Sequence, residues 1–308
     1  VRIPFYLALP ASLLAFPSTL PWVILFWIAV HSTLAFLRRP CWLPLVIAAA
    51  VILVKRVGGP LELHLLTVLL LGFAAVELTA KYRRPPKRPW LNPVLYLALL
   101  LALWLSFLIH ATADVHRSRP LQLQPDRPIA VIGDSLSVHG WAQRIARDLA
   151  APAVDRSEGG INTIEGLAKL PEVLSHRPQL VILELGGHDY LESRGRDATR
   201  ANLDKMIRDV RGAGAEILLF EIPRGFVTDP FGGLERELAR EHDLELVTDG
   251  AIRQLVLFSP FTPLGSWTGR KLSDDGLHPN EDGHRFLAER VKASLLRLYG
   301  TRILAAPR

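Results

Sequence analysis

The chain has 308 residues, with 36 Lys and Arg against 30 Asp and Glu and a formal net charge of +6. Its single cysteine, Cys41, excludes an internal disulfide and a cysteine-rich metal site. The basic excess does not point to nucleic acid. Lys81, Arg83, Arg84, Lys87 and Arg88 crowd one short stretch between two apolar runs, with no zinc-finger spacing and no RNA-binding aromatic signature.

Residues 1–113 are mostly apolar runs broken by prolines and basic pairs. A spanning helix needs roughly 20 mainly apolar residues. Leu61 to Ala80 and Pro93 to Ala113 meet that length, Leu20 to Leu37 nearly does, and Ile3 to Phe16 and Cys41 to Val54 are weaker. The expectation is an all-α transmembrane region of about five spans in contact with a lipid bilayer, with four spans as the alternative. Cytoplasmic loops are enriched in Lys and Arg. The Lys81–Arg88 loop and the Arg38-Arg39 turn are therefore expected inside, with Lys55-Arg56 in mild conflict. The last span then exits on the far side. That predicts a multi-pass inner (cytoplasmic) membrane protein whose C-terminal domain is extracytoplasmic, periplasmic in a Gram-negative cell. Glu62, His64 and Glu77 fall near the ends of their run, where charged groups can reach the interface. Residues 114–127 carry charges and prolines without apolar periodicity and read as a linker.

From residue 128 short apolar runs alternate with amphipathic stretches. Strands are predicted at Pro128–Ile132, Ala153–Asp155, Leu180–Leu185, Glu216–Ile222 and Leu244–Val247. Helices are predicted at Val138–Leu149, Ile164–Leu174, Thr199–Gly212, Leu234–Glu241 and Glu281–Leu298. Such alternation implies a mostly parallel sheet covered on both faces, with sites beyond the carboxyl ends of its strands.

Three motifs fall at those ends: Gly133-Asp134-Ser135-Leu136-Ser137 after the first strand, Gly186-Gly187-His188-Asp189 after the third, and Asp275-Gly276-Leu277-His278-Pro279 before the last helix. A serine hydroxyl is a weak nucleophile until a base takes its proton. Histidine is the usual base, oriented by an acidic group. Asp275 and His278 lie three residues apart, so one loop can deliver both to Ser135. Developing negative charge needs donors, often backbone N–H groups left open by small residues. Gly160, in the run Ser157 to Thr163, is such a candidate. Singly, each motif has a plainer reading: Gly-Asp-Ser as a helix cap, Asp-Gly as turn chemistry, Asp275 as a solvated charge. Their order and strand-end placement together favour catalysis. The α/β-hydrolase elbow Gly-x-Ser-x-Gly is excluded, because Ser137 stands where its second Gly would be. There is no P-loop and no HExxH, and no helical ligand pair supports a metal at His188, Asp189 and His278.

The pattern resembles the SGNH (GDSL) hydrolase family, close to its bacterial thioesterase I/lysophospholipase L1 group, over roughly residues 128–300. The resemblance implies a flavodoxin-like three-layer α/β/α SGNH domain. It implies Ser135 as nucleophile, Gly160 as an oxyanion-hole donor, and Asp275 and His278 completing the triad, with no cofactor and no metal. One position departs: the family carries Asn in its third block, and here it is His188. A neutral imidazole still has one N–H donor, so His188 is expected to replace that amide, its tautomer fixed by Asp189 or a backbone carbonyl.

The expected function is a membrane-anchored serine esterase acting on carboxylic esters or thioesters, with an acyl lipid or an O-acetylated envelope glycan as substrate. A membrane O-acyltransferase using the same triad and a non-catalytic envelope protein that keeps the fold are the alternatives. Phe258–Trp267, just before the Asp-His block, reads equally as an acyl pocket or as a packed loop.

Overall fold

The computed structural model describes residues 22–27, 29–30, 50–51, 98, 101–102, 104–105, 115–225 and 229–305. The backbone divides into two compact units, residues 1–113 with 225–232, and residues 114–224 with 233–308. In the first unit the described residues before 115 are helical, Ile24 and Trp27 are buried, and the Trp22 and Trp104 rings meet edge-on at 6.1 Å. Among the described residues no helix is long and apolar enough to cross a membrane. That overturns the multi-pass inner-membrane localisation and the periplasmic placement that depended on it. The five expected spans themselves fall almost wholly outside the described residues.

The second unit is built on five parallel strands, β1 (Ile129–Gly133), β2 (Ala153–Asp155), β3 (Leu180–Glu184), β4 (Glu216–Phe220) and β5 (Glu245–Val247), in the order β2-β1-β3-β4-β5. This is the flavodoxin-like order, whose direction of winding reverses between β1 and β3. The apolar runs IAVIG and LVILE are buried at every position, as strands covered on both faces must be.

Among the described residues eight α-helices connect and cover the strands: α1 (Trp141–Asp148), α2 (Thr163–Ser175), α3 (Gly187–Leu191), α4 (Arg196–Gly212), α5 (Leu234–Glu241), α6 (Gly250–Leu257), α7 (Pro263–Thr268) and α8 (Glu281–Tyr299). Side chains alternate across a strand. Ile129, Val131, Leu180, Ile182, Leu218 and Phe220 form one core with Trp141 and Ile145 of α1 and Leu287, Val291 and Leu295 of α8, the Trp141 ring stacked on Phe220 at 5.3 Å. The intervening Ala130, Ile132, Val181, Leu183, Ile217 and Leu219 are equally buried, as are Leu170 and Val173 of α2 and Leu203, Met206 and Val210 of α4. The α/β domain with its parallel sheet therefore agrees with the sequence reading, and boundaries differ by a few residues. Helices α3, α6 and α7 are additions. All three are short and lie in turn-rich segments with little room for an apolar period.

Residues 115–127 are not free chain. The Leu246 N–H donates to the Val115 carbonyl at 3.1 Å, the Leu121 N–H to Leu298 at 2.6 Å, and Arg117 pairs with Glu216 at 2.9 Å. This segment therefore lies along β5 and α8.

Candidate active site

The crevice opens where β1 and β3 end side by side, Gly133 in register with Glu184. Beyond β1 the chain makes a tight turn. The Asp134 carboxylate accepts the Leu136 N–H at 3.0 Å, and the Asp134 carbonyl accepts the Ser137 N–H at 3.1 Å. Asp134, Leu136 and Ser137 are buried by this turn, while Ser135 at its crest is only half-buried. The turn does not cap a helix, since α1 begins at Trp141 after Gly140.

The Asp275–His278 loop reaches Ser135 from the far end of the chain. His278 Nε2 lies 3.1 Å from Ser135 Oγ, and His278 Nδ1 lies 2.7 Å from Asp275 Oδ2. The other carboxylate oxygen of Asp275 accepts the Leu277 N–H at 2.9 Å, the His278 N–H at 2.8 Å and the Ser273 hydroxyl at 3.0 Å. Burial alone would raise this carboxyl. The bonds from the His278 ring, from the two N–H groups and from Ser273 outweigh it and hold Asp275 well below the usual carboxylate range. Helix α8 fixes the loop from behind: Asn280 caps it by accepting the Asp282 and Gly283 N–H groups, each at 3.1 Å. A Cβ on Gly283 would stand 2.0 Å from the Leu272 carbonyl, so the helix can approach this closely only with glycine there.

The third wall is the segment after β2. It continues the ladder beside β1, the Arg156 N–H donating to Val131 at 2.9 Å and the Glu158 N–H to Gly133 at 3.0 Å. It then turns through Gly160 at φ +86°, a left-handed conformation that favours glycine. A Cβ on Gly159 would touch Ser135 Cβ at 4.0 Å, and one on Gly160 would touch His188 Cε1 at 3.9 Å. The two glycines thus bridge Ser135 and His188. Neither the Ser135 N–H nor the Gly160 N–H is used in the hydrogen bonds among the described residues.

His188 stands half-buried in α3. Asp189 does not fix its tautomer, contrary to one sequence expectation. The Asp189 carboxylate is buried and accepts the Thr163 N–H at 2.8 Å, the Thr163 hydroxyl at 2.6 Å and the Thr199 hydroxyl at 3.3 Å, tying α3 to the start of α2. Asn162, the cap of α2, adds a bond to Glu192 at 2.9 Å. On the other side the buried Arg224, paired with Glu235, donates to the Gly186 carbonyl at 3.2 Å. Its guanidinium fills the space a Gly186 Cβ would need. His188 is therefore carried on a short helix anchored at both ends.

Beneath the Ser135 turn lies a group that sequence reasoning missed. Glu184, at the end of LVILE, is fully buried. Its Oε2 accepts the Ser137 hydroxyl at 2.8 Å and the Asp134 N–H at 3.2 Å, whereas Oε1 has no partner among the described residues. Burial, then the charge of neighbouring Asp134, push Glu184 well above the usual carboxylate range, and burial also raises Asp134. The two carboxyls act as a pair that retains a proton, which Glu184 Oε1 is free to carry. The available signal was an acidic residue closing an otherwise wholly apolar strand run.

In Glu184→Gln the amide NH2 takes the place of the protonated oxygen, and the fold survives. Glu184→Ala strands the buried Ser137 hydroxyl, at a cost of about 1–3 kcal/mol, while the Asp134 N–H keeps its bond to the Glu184 backbone carbonyl at 3.1 Å. The folded chain holds a proton that the unfolded chain releases near 4.5, so stability falls as pH rises above that value. Thermal unfolding between ~pH 5 and ~pH 8 should show wild type losing stability relative to Glu184→Gln as pH rises. Parallel curves would contradict the retained proton.

Among the described residues no group of three or more His, Cys, Asp or Glu side chains is arranged to hold a metal ion. Phe258 packs on the core, while Phe261 and Trp267 are 74% and 84% exposed.

The GDSL-like Lipase/Acylhydrolase family model matches residues 131–286. Thioesterase 1/protease 1/lysophospholipase L1 of Escherichia coli (strain K12) is 31% identical over 179 residues, which span 52% of this chain and 79% of that protein. The arylesterase of Vibrio mimicus is 28% identical over 192 residues, 56% of this chain and 90% of that one. The crystal structure of TesA aligns with 26% identity and a TM-score of 0.46, over 56% of this chain and 99% of that chain. The chain belongs to the GDSL-like lipase/acylhydrolase family and is a carboxylic ester hydrolase of the esterase/thioesterase type.

Proposed function

We propose that this chain hydrolyses acyl-lipid esters and thioesters by covalent catalysis, with Ser135 as nucleophile, His278 as general base and acid, and Asp275 orienting His278. The observation that carries this reading is the 3.1 Å approach of His278 Nε2 to Ser135 Oγ while Nδ1 is held 2.7 Å from Asp275. Ser135 Oγ attacks the carbonyl carbon as its proton passes to His278 Nε2. The tetrahedral intermediate collapses when that proton moves to the leaving alkoxide or thiolate, leaving an acyl ester on Ser135. A water molecule then gives its proton to His278 and attacks the same carbon. The acid departs as His278 returns the proton to Ser135. The ionised Asp275 favours the tautomer with the proton on Nδ1 and stabilises the imidazolium at each step.

The unused N–H groups of Ser135 and Gly160 and the ring N–H of His188 are the proposed oxyanion donors. Backbone donors cost no reorganisation when charge develops. His188 replaces an amide with a titratable ring, so its donor role depends on tautomer as an amide's would not. His188→Ala is expected to lower kcat by ~10²–10³-fold with little change in KM. Unchanged kcat would remove His188 from the oxyanion site.

The lipid side of the assignment is supported by apolar residues beside the proposed base. Leu277, adjacent to His278, is 49% exposed, and the Phe261 ring lies 3.1 Å from where a Gly276 Cβ would be. The lysophospholipase L1 named among the relatives supports the same class. The test is a series of esters of one leaving group with rising acyl length, beside an O-acetylated glycan. The expected result is a kcat/KM that rises with chain length. A preference for acetyl esters or for the glycan would reject the lipid assignment.

A further inference from the structure

Helix α7 and the turn before it present an exposed apolar surface, with Leu264 and Trp267 on the helix and Phe261 immediately before its cap. Phe261, Leu264 and Trp267 follow one another at three-residue intervals, and they are 74%, 38% and 84% exposed. Leu264 and Trp267, three apart within α7, share one face of the helix. The opposite side is locked to the domain: a Cβ on Gly265 would stand 2.1 Å from the Ser259 carbonyl oxygen. Thr262 caps the helix by accepting the Gly265 N–H at 3.2 Å and itself donates to the Leu257 carbonyl. The large side chains are therefore held outward by a fixed backbone rather than left there by a loose loop.

The surroundings carry positive charge. No acidic residue occurs between Asp249 and Asp274, while Arg270 and Lys271 follow the Gly269 cap of α7 and both are exposed. Arg270 is held over the Phe258 ring at 4.8 Å, so its charge sits at the root of the apolar face. Asp274, the first acidic group beyond, is engaged by the Asn280 amide at 3.1 Å. An exposed Trp and Phe above a short run of cations is the arrangement that favours an anionic lipid surface, aromatic rings at the acyl boundary and cations at the headgroups.

We infer that the α7 face, Phe261, Leu264 and Trp267 with Arg270 and Lys271, is an interfacial docking surface for anionic lipid aggregates. Through Phe261 and Leu277 it is continuous with the Asp275–His278 loop, so a docked chain would bring the crevice to the surface where its substrates pack. The surface rests on exposure and charge and stands whether or not Ser135 is the nucleophile.

The test uses the full chain with Cys41→Ser as background and an environment-sensitive fluorophore on Trp267→Cys or, as a control, on Lys205→Cys of α4. Vesicles of phosphatidylcholine with phosphatidylglycerol should blue-shift the label at position 267 and leave that at position 205 unchanged. Vesicles of phosphatidylcholine alone should shift it less, and Arg270→Gln with Lys271→Gln should abolish the difference. In parallel, Trp267→Ser with Leu264→Ser should lower the rate on an ester presented in anionic mixed micelles about tenfold relative to the rate on a dispersed short-chain ester. Equal shifts at both positions, no shift at 267, or a concentration-dependent shift without lipid, which marks self-association, would each overturn the proposal. Equal loss on both esters in the variant carrying Trp267→Ser with Leu264→Ser would overturn the docking role, whereas a wild-type chain that shows the fluorescence shift but hydrolyses neither ester would overturn the catalytic reading alone.

Discussion

Ser135→Ala is expected to lower kcat for ester hydrolysis by on the order of 10⁶-fold, with KM little changed and the fold intact. The size follows from covalent catalysis. Without Oγ there is no acyl-enzyme, and His278 has no proton to take. What remains is whatever the oxyanion donors and substrate binding supply, which does not replace a nucleophile. The fold should tolerate the change because Ser135 is only half-buried and its hydroxyl bonds to His278 alone, so its removal leaves no buried group unpaired. The neighbouring Ser137 provides the contrast. Its hydroxyl is buried on Glu184, so Ser137→Ala acts on stability rather than on chemistry. The measurement is steady-state kinetics on a chromogenic ester beside thermal unfolding, with a stability change within ~0.5 kcal/mol of zero for the surface-facing serine.

Asp275→Asn is the second large effect, a loss of about 10⁴-fold in kcat. Three donors converge on Asp275 Oδ1, from Leu277, His278 and Ser273, and they hold the amide oxygen on that side. The new NH2 then faces His278 Nδ1 and donates to it. That places the ring proton on Nε2, where the ring can no longer accept the proton of Ser135. The pH behaviour also changes. In wild type the depressed Asp275 keeps its charge throughout the range in which carboxylates ordinarily titrate, so it adds no acid limb to the rate profile. Its contribution to stability is present above the unfolded value of 3.8 and is lost as pH falls below it. The variant should therefore lose activity across the whole profile and lose the acid dependence of stability that comes from Asp275. Full activity in Asp275→Asn would mean that His278 is oriented by something else.

The C-terminal half was readable because its signals are local. PIAVI and LVILEL are continuous apolar runs, and in a parallel sheet such runs are strands buried on both faces. The motifs at their ends then fall in one crevice by topology. The interior chemistry was less readable. Nothing in the sequence says that Glu184 faces Asp134, because the pair exists only through the register of β1 with β3. Likewise Asp189 follows His188 in sequence yet turns away to hold α2, since a five-residue helix sends neighbouring side chains in different directions. Phe258 and Trp267 belong to one apolar segment, and only α7 determines which of them is inside. The expectation overturned is the placement of the domain beyond an inner membrane: it followed from the lengths of the apolar runs and the basic loops before residue 114, and among the described residues no helix is long and apolar enough to cross a membrane.

The nucleophile is tested by labelling this chain with a fluorophosphonate ester, followed by peptide mass mapping. A single phosphonylated residue is expected, Ser135, with labelling slowed by an excess of a long-chain acyl ester and absent from Ser135→Ala. An unlabelled Ser135 in a chain that still hydrolyses the ester, or a label on another residue that survives in Ser135→Ala together with activity, would contradict it.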